Sequence, residues 1–342
     1  MNKLPNVICS SVIRSSHHGD SHGGIYLLDL DSEKFKQVVD WNDPSIDWSG
    51  RGADRGLRGI AFYDGNIICA ASDEIFIFNQ AFEILNSFRN KYLKHCHEIH
   101  IWADKLYLTS TGFDSILVFD LKTETFEKGY TYRKVEAKGR LQKIISNIFS
   151  AKNKTTEEDP YSFTSFDPNG HQGPHGKDTI HVNNVFYQND SVYFSGKSLE
   201  DLMKIKLKRE EVQAIVHTGI GTHNVSLHQE YCIYNNTGKD SVTIKNISDQ
   251  SDLANFEIRK YDLSELLNTD IPQDHARQGF GRGLCFYHDY IIGGSSPSTI
   301  TVYSIKERKI VKTINITMDI RNAIHGLEIY PYEFRIDDPL LS

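Results

Sequence analysis

The chain has 342 residues, 39% of them hydrophobic, and its 38 Lys and Arg against 45 Asp and Glu leave a formal net charge of −7. No block of like charge gives a footprint for nucleic acid, and no run of about 18 apolar residues offers a membrane span. The N-terminus lacks the basic and apolar regions of an export signal, so a soluble, cytoplasmic, monomeric protein is expected.

Strand signals begin at 7–11 (VICSS), continue at 25–30 (IYLLDL) and fade at 36–41 (KQVVDW). Arg58 then opens RGIAFY, followed by the turn residues DGN at Asp64 and the strands 67–72 (IICAAS) and 74–79 (EIFIFN). His97 opens HEIHIW, with a turn at ADK from Ala103 and strands 106–112 (LYLTSTG) and 116–121 (ILVFDL). Residues 134–180 interrupt the spacing: an amphipathic helix is expected in EAKGRLQKIISNIF, then a Gly- and Pro-rich loop containing His171 and His175. Asn183 opens NNVFY, with a turn at NDS from Asn189 and strands at 192–197 and 202–207. His223 opens HNVSLH, followed by 231–236 and 242–247. A second insertion, 260–281, holds a short helix candidate, LSELLNT. Arg282 opens RGLCFY before 291–296, 300–305 and a fourth strand at 309–314, and His325 opens HGLEIY.

Six matched copies of each strand type, at roughly 40 residues per repeat, predict an all-β, six-bladed β-propeller occupying 1–342 as one domain. Because the chain starts on a second strand and ends on a first strand, Velcro closure is expected: the C-terminal strand begins the blade that the N-terminal strands complete. Both insertions are expected on the mouth face as a lid. Cys9, Cys69, Cys96, Cys232 and Cys285 are odd in number and widely spaced, which reads as buried free thiols in a reducing compartment. The HHGDSH run with His17, His18 and His22 reads as a solvated loop.

Radially arranged strands make the six openers a ring at the channel mouth, each on the face of the apolar residues two and four positions on. His97, His223 and His325 then alternate with Arg58, Asn183 and Arg282. Three converging imidazoles are the donor set of an open catalytic metal site, so a divalent ion, Zn, Fe, Cu or Mn, is expected on His97, His223 and His325. Arg58 and Arg282 suit the oxygens of a small anionic substrate, Asn183 adds an uncharged hydrogen bond, and Arg55 and Lys197 add to the field. The reading is an enzyme, whether hydrolase, lyase or oxygenase, with other enzymes of a pathway as partners. The alternatives are a metal-free site in which one histidine is nucleophile or general base, and a binding module without catalysis.

The segment DTIHVNNVFYQNDSVYFSGKSLEDLMKIKL, with its His-x-Asn pair at His181 and Asn183, resembles a blade of bacterial arylsulfate sulfotransferases. HEIHIWADKLYLTST and THNVSLHQEYCIYNN are similar to that family in layout, so the resemblance covers about three blades, and it extends to uncharacterised bacterial His-x-Asn propellers. It implies a six-bladed propeller that transfers sulfate through a histidine without a metal, with His181 and Asn183 as catalytic residues; Arg58 and Arg282 are expected as catalytic residues from their places in the ring. Where the family places an arginine after the second strand of this blade, the present chain has Lys197.

Overall fold

A computed structural model describes residues 3–44, 46, 56–134, 161–271 and 276–334. The amphipathic segment expected to be helical at 136–149 and the charged side chain of Arg55 fall outside them.

Six antiparallel sheets form the blades. The second blade comprises β4 (Ile60–Tyr63), β5 (Asn66–Ala71), β6 (Glu74–Phe78) and β7 (Ile84–Arg89). The third has β8 (Ile99–Trp102), β9 (Lys105–Ser110), β10 (Ser115–Asp120), β11 (Thr125–Lys134) and a fifth strand, β12 (Tyr161–Phe166). The fourth runs through β13 (Val182–Gln188), β14 (Ser191–Gly196), β15 (Asp201–Lys206) and β16 (Glu211–His217). The fifth runs through β17 (Thr222–His228), β18 (Tyr231–Asn236), β19 (Ser241–Asn246) and β20 (Asp252–Glu257), and the sixth through β21 (Arg282–Tyr287), β22 (Tyr290–Ser295), β23 (Thr299–Ser304) and β24 (Lys309–Asn315). The closing blade joins β25 (Asn322–Ile329) to β1 (Asn6–Ile13), β2 (Gly23–Asp29) and β3 (Lys34–Asp40). Val7 pairs with Ile329 and Cys9 with Leu327, so the expected Velcro closure is present.

The innermost strands β4, β8, β13, β17, β21 and β25 touch one another in a closed ring around the axis. The apolar residues divide into clusters shared by neighbouring blades. One joins Ile8, Ile25 and Trp41 of the closing blade to Cys69, Phe76 and Phe78 of the second, with Trp41 edge-on to Phe76 at 4.9 Å. Another joins Ile233 and Val242 to Ile291 and Tyr303. Each fully buried Ile or Leu contributes about 1.5–3 kcal/mol, and none of that burial needs the axis. The mouth end of the ring is thereby left to polar groups. All five cysteines are free and buried within these interfaces, as expected.

Turn chemistry sets the inner hairpins. Asp64–Gly65 and Asn189–Asp190 both take two successive positive φ values (47° and 78°; 49° and 54°), the geometry that matches strand twist in a two-residue hairpin. Glycine after an opener has a separate purpose. A Cβ on Gly326 would lie 2.3 Å from the Arg58 carbonyl oxygen, and one on Gly59 2.7 Å from the Ile99 nitrogen, so these residues let adjacent inner strands approach the axis.

Three expectations are corrected. Part of the 134–180 insertion is β12, which extends the third blade at its outer edge beside β11. LSELLNT forms a single turn, because Asp262 accepts Ser264 N at 2.8 Å but Leu267 N is taken by Met318 O at 2.9 Å, pulling the chain into a bridge with Asp319. His22 is 1% exposed, its backbone held between Ile13 and Trp41, whereas His17 and His18 are exposed. Among the described residues no helix is long and apolar enough to cross a membrane.

Candidate functional site at the channel mouth

The openers do converge, but strand alternation is not what aims them. His97 N and Glu98 N both donate to Thr109 Oγ1, at 2.9 and 3.0 Å, the signature of a bulge in which two successive residues face one on the partner strand. Pairing also slips between Val182 and Asn184, His223 and Ser226, and Arg282 and Leu284. The bulge uncouples each opener from the apolar residues that follow, so the shared face expected from period-2 counting does not hold at the mouth.

His97 is 6% exposed, and its Nδ1 lies 2.8 Å from His95 O and 2.9 Å from Thr111 Oγ1. Thr111 donates its own proton to Val182 O at 2.5 Å, so both neighbours of Nδ1 are acceptors and Nδ1 carries the hydrogen. Nε2 is therefore the lone-pair nitrogen, and it accepts from Arg58 Nη1 at 3.0 Å. His97 fixes a guanidinium whose residue is 4% exposed. Burial, then the charge of Arg58, holds the His97 pKa well below the usual imidazole value.

On the fifth blade, His223 points Nδ1 at Gly221 O, 3.3 Å away. That carbonyl can only accept, so Nε2 is again the lone-pair nitrogen, and it is buried with no hydrogen-bond partner. Burial and the Arg282 charge keep this imidazole neutral at pH 7. Beside it Asn183, 1% exposed, donates Nδ2 to Thr222 O at 2.9 Å and leaves Oδ1 buried without a partner. His325, 3% exposed, is depressed by burial and by Arg282, Arg58 and Arg14 in turn.

His181 sits above this layer, its ring 5.1 Å from that of His97. The Asp114 carboxylate pins the preceding loop, taking Thr179 N at 2.7 Å, Ile180 N at 3.2 Å and His181 N at 3.1 Å, and His181 adopts φ 57°. Its Nδ1 meets Asp178 Oδ2 at 2.8 Å, which orients Nε2 as an acceptor. From the 260–281 insertion, Phe280 reaches the mouth: Arg282, Arg277 and Arg14 lie 4.7, 4.9 and 5.5 Å from its centroid, and His223 packs edge-on at 5.7 Å. Lys197 lies beside His181, its backbone nitrogen bound to His181 O at 3.1 Å. His171 and His175 are exposed loop residues.

The expected tri-histidine metal centre is not assembled as a donor set. The only lone pair of His97 faces a guanidinium. Among the described residues no group of three or more His, Cys, Asp or Glu is placed to hold an ion. What gathers instead is a mixture of fixed donors on Arg58, Arg282 and Arg14 with neutral imidazoles and an amide oxygen. Sequence reasoning missed Arg14, Asp178 and Phe280; only Asp178, three residues before His181, had a local signal.

By architecture the chain is a six-bladed β-propeller. No family model matches it, and no curated protein does. Among solved structures it is similar to a chain in the crystal structure of a nidogen/laminin complex, with a TM-score of 0.58, 8% identity, and coverage of 95% of this chain and 97% of that one. The computationally designed Ika8 protein aligns with a TM-score of 0.45 at 9% identity, over 95% of this chain and 98% of that one. At such identities the similarity to the first is one of fold.

Proposed function

We propose that the mouth is an active site that holds a small anionic substrate on Arg58 and Arg282 and acts on it with His223, without a metal. The observation that carries this reading is the pairing of His97 Nε2 with Arg58, which takes the nitrogen a metal would need and orients a guanidinium toward the axis. The unpartnered His223 Nε2 supplies the reacting group. Its Nδ1–H on Gly221 O fixes the tautomer, so the imidazole is ready as nucleophile or general base, and charge developing on the ring is met by the carbonyl dipole. Low pKa values keep the imidazoles uncharged at neutral pH. Histidine-dependent group transfer of the arylsulfate sulfotransferase kind fits this chemistry. The five free thiols support a reducing compartment such as the cytoplasm.

The test is calorimetric titration with sulfate and phosphate, combined with turnover of 4-nitrophenyl sulfate, phosphate and acetate. Arg282→Gln is expected to weaken anion binding about ten- to 150-fold, since one charged hydrogen bond is worth about 1.5–3 kcal/mol. His223→Ala should retain binding and lose turnover, with no effect of chelator on the wild type. Binding without turnover of any ester would identify a binding module, and loss of turnover on chelation would restore a metal-centred reading.

A further inference from the structure

Below the openers the axial channel widens into a cavity of about 360 Å³ that none of the six openers lines. Its walls are the stretches that follow them. Phe186 and Tyr187 of β13 and Phe286 of β21 supply aromatic surface, and two carboxyls enter from blades two places apart in the ring, Glu98 before β8 and Glu328 on β25. Both acids are enclosed by protein, and the surface they keep faces the cavity.

Glu98 Oε1 accepts one hydrogen bond, from Asn224 Nδ2 at 2.6 Å. The Glu328 carboxyl has no hydrogen-bond partner among the described residues; burial raises its pKa, and its charge in turn pushes Glu98 upward after burial. No Lys or Arg lines the cavity, and His100, the one basic side chain there, is kept neutral by burial. An enclosed carboxyl without a partner is a costly thing to leave empty-handed.

The chemistry of the walls selects among cations. Calcium takes about 6–8 oxygen ligands, and among the described residues no third carboxylate joins Glu98 and Glu328 toward that number. An organic ammonium needs one or two carboxylates for its charge and aromatic faces within about 6 Å for its alkyl groups. We infer that this cavity is a second binding site, distinct from the mouth, for a small organic ammonium ion held by Glu98 and Glu328 against Phe186 and Phe286. It does not depend on the reading of the mouth, which uses other residues.

The full chain is titrated with n-butylammonium and tetramethylammonium chloride at about pH 8.5, where the carboxyls ionise, and binding is followed by saturation-transfer NMR. Saturable binding of at least one ion is expected, weakened about tenfold by Glu328→Gln and several-fold by Phe286→Leu. Should Glu328→Gln not fold, Glu98→Gln reads the same contact. The inference is overturned by absence of saturable binding up to about 50 mM, a threshold well above ordinary site affinities. It is equally overturned by binding indifferent to both carboxyl variants, or by displacement of the ammonium by equimolar Ca²⁺.

Discussion

Gly326→Ala tests whether the close approach of inner strands is what brings the openers together. The added Cβ would stand 2.3 Å from Arg58 O, 2.9 Å from Ser10 Oγ and 3.0 Å from Ile60 Cγ1. Ordinary carbon–oxygen contacts begin at roughly 3.3 Å, so β25 and the Arg58 backbone must part by about 1 Å. The obstacle is backbone, not a side chain that can rotate. Ser10 Oγ, which donates to Arg58 O at 2.5 Å and receives Gly326 N at 2.8 Å, loses its bridge in the process. Overpacking costs about 1–3 kcal/mol and the bridge about 1 kcal/mol more, for an expected loss of about 2–4 kcal/mol. Urea denaturation of the variant measures it, and sulfate titration of the folded fraction should show weakened binding because Arg58 is displaced. Gly176→Ala is the control: its nearest atoms are 3.7 and 3.8 Å away, and a change within about 0.5 kcal/mol is expected. A Gly326→Ala protein as stable as this control, with unaltered sulfate affinity, would refute the reasoning.

Further outcomes follow from the same contacts. Burial pushes Glu98 and Glu328 up to about 8, so the folded protein holds protons that the unfolded chain releases above about pH 4.5; stability should fall as pH rises from about 5 to 8, and Glu98→Gln with Glu328→Gln should flatten that slope in urea titrations. His97→Ala removes the Nε2 acceptor of Arg58 Nη1 and should weaken sulfate binding about five- to thirtyfold, the equivalent of one charge-assisted hydrogen bond of about 1–2 kcal/mol, with His97→Gln recovering part of it. Asp114→Ala removes the acceptor of Thr179, Ile180 and His181 nitrogens; hydrogen exchange at those three amides should accelerate while exchange in β14 and β18 stays slow.

The blades were readable in advance because period-2 apolar runs and turn residues are local properties. RGIAFY, RGLCFY and HGLEIY announce inner strands, and the glycines in them turn out to be the points of closest approach. The ring of openers followed from counting repeats. Their chemistry did not, since the tautomer of His97 depends on Thr111 and His95, and the destination of its Nε2 on Arg58 of the preceding blade. Arg14 follows β1, a second strand, so no alignment of first strands could find it. Period-2 counting from His97 gives no role to Glu98; the bulge at Thr109 breaks that count, and the carboxyl accepts from Asn224 across the channel. The helix read in LSELLNT failed because a non-local bond to Met318 outweighed local propensity.

The closure through β25 sets an order of events in the making of the protein. This strand carries both His325 and Glu328 and is synthesised after every other blade strand. While it is still in the ribosome, β1 has an unpaired edge, the mouth lacks one of its imidazoles and the cavity below lacks one of its two carboxyls. Neither the mouth nor the cavity can be complete on the nascent chain, and both are closed by the pairing that seals the ring.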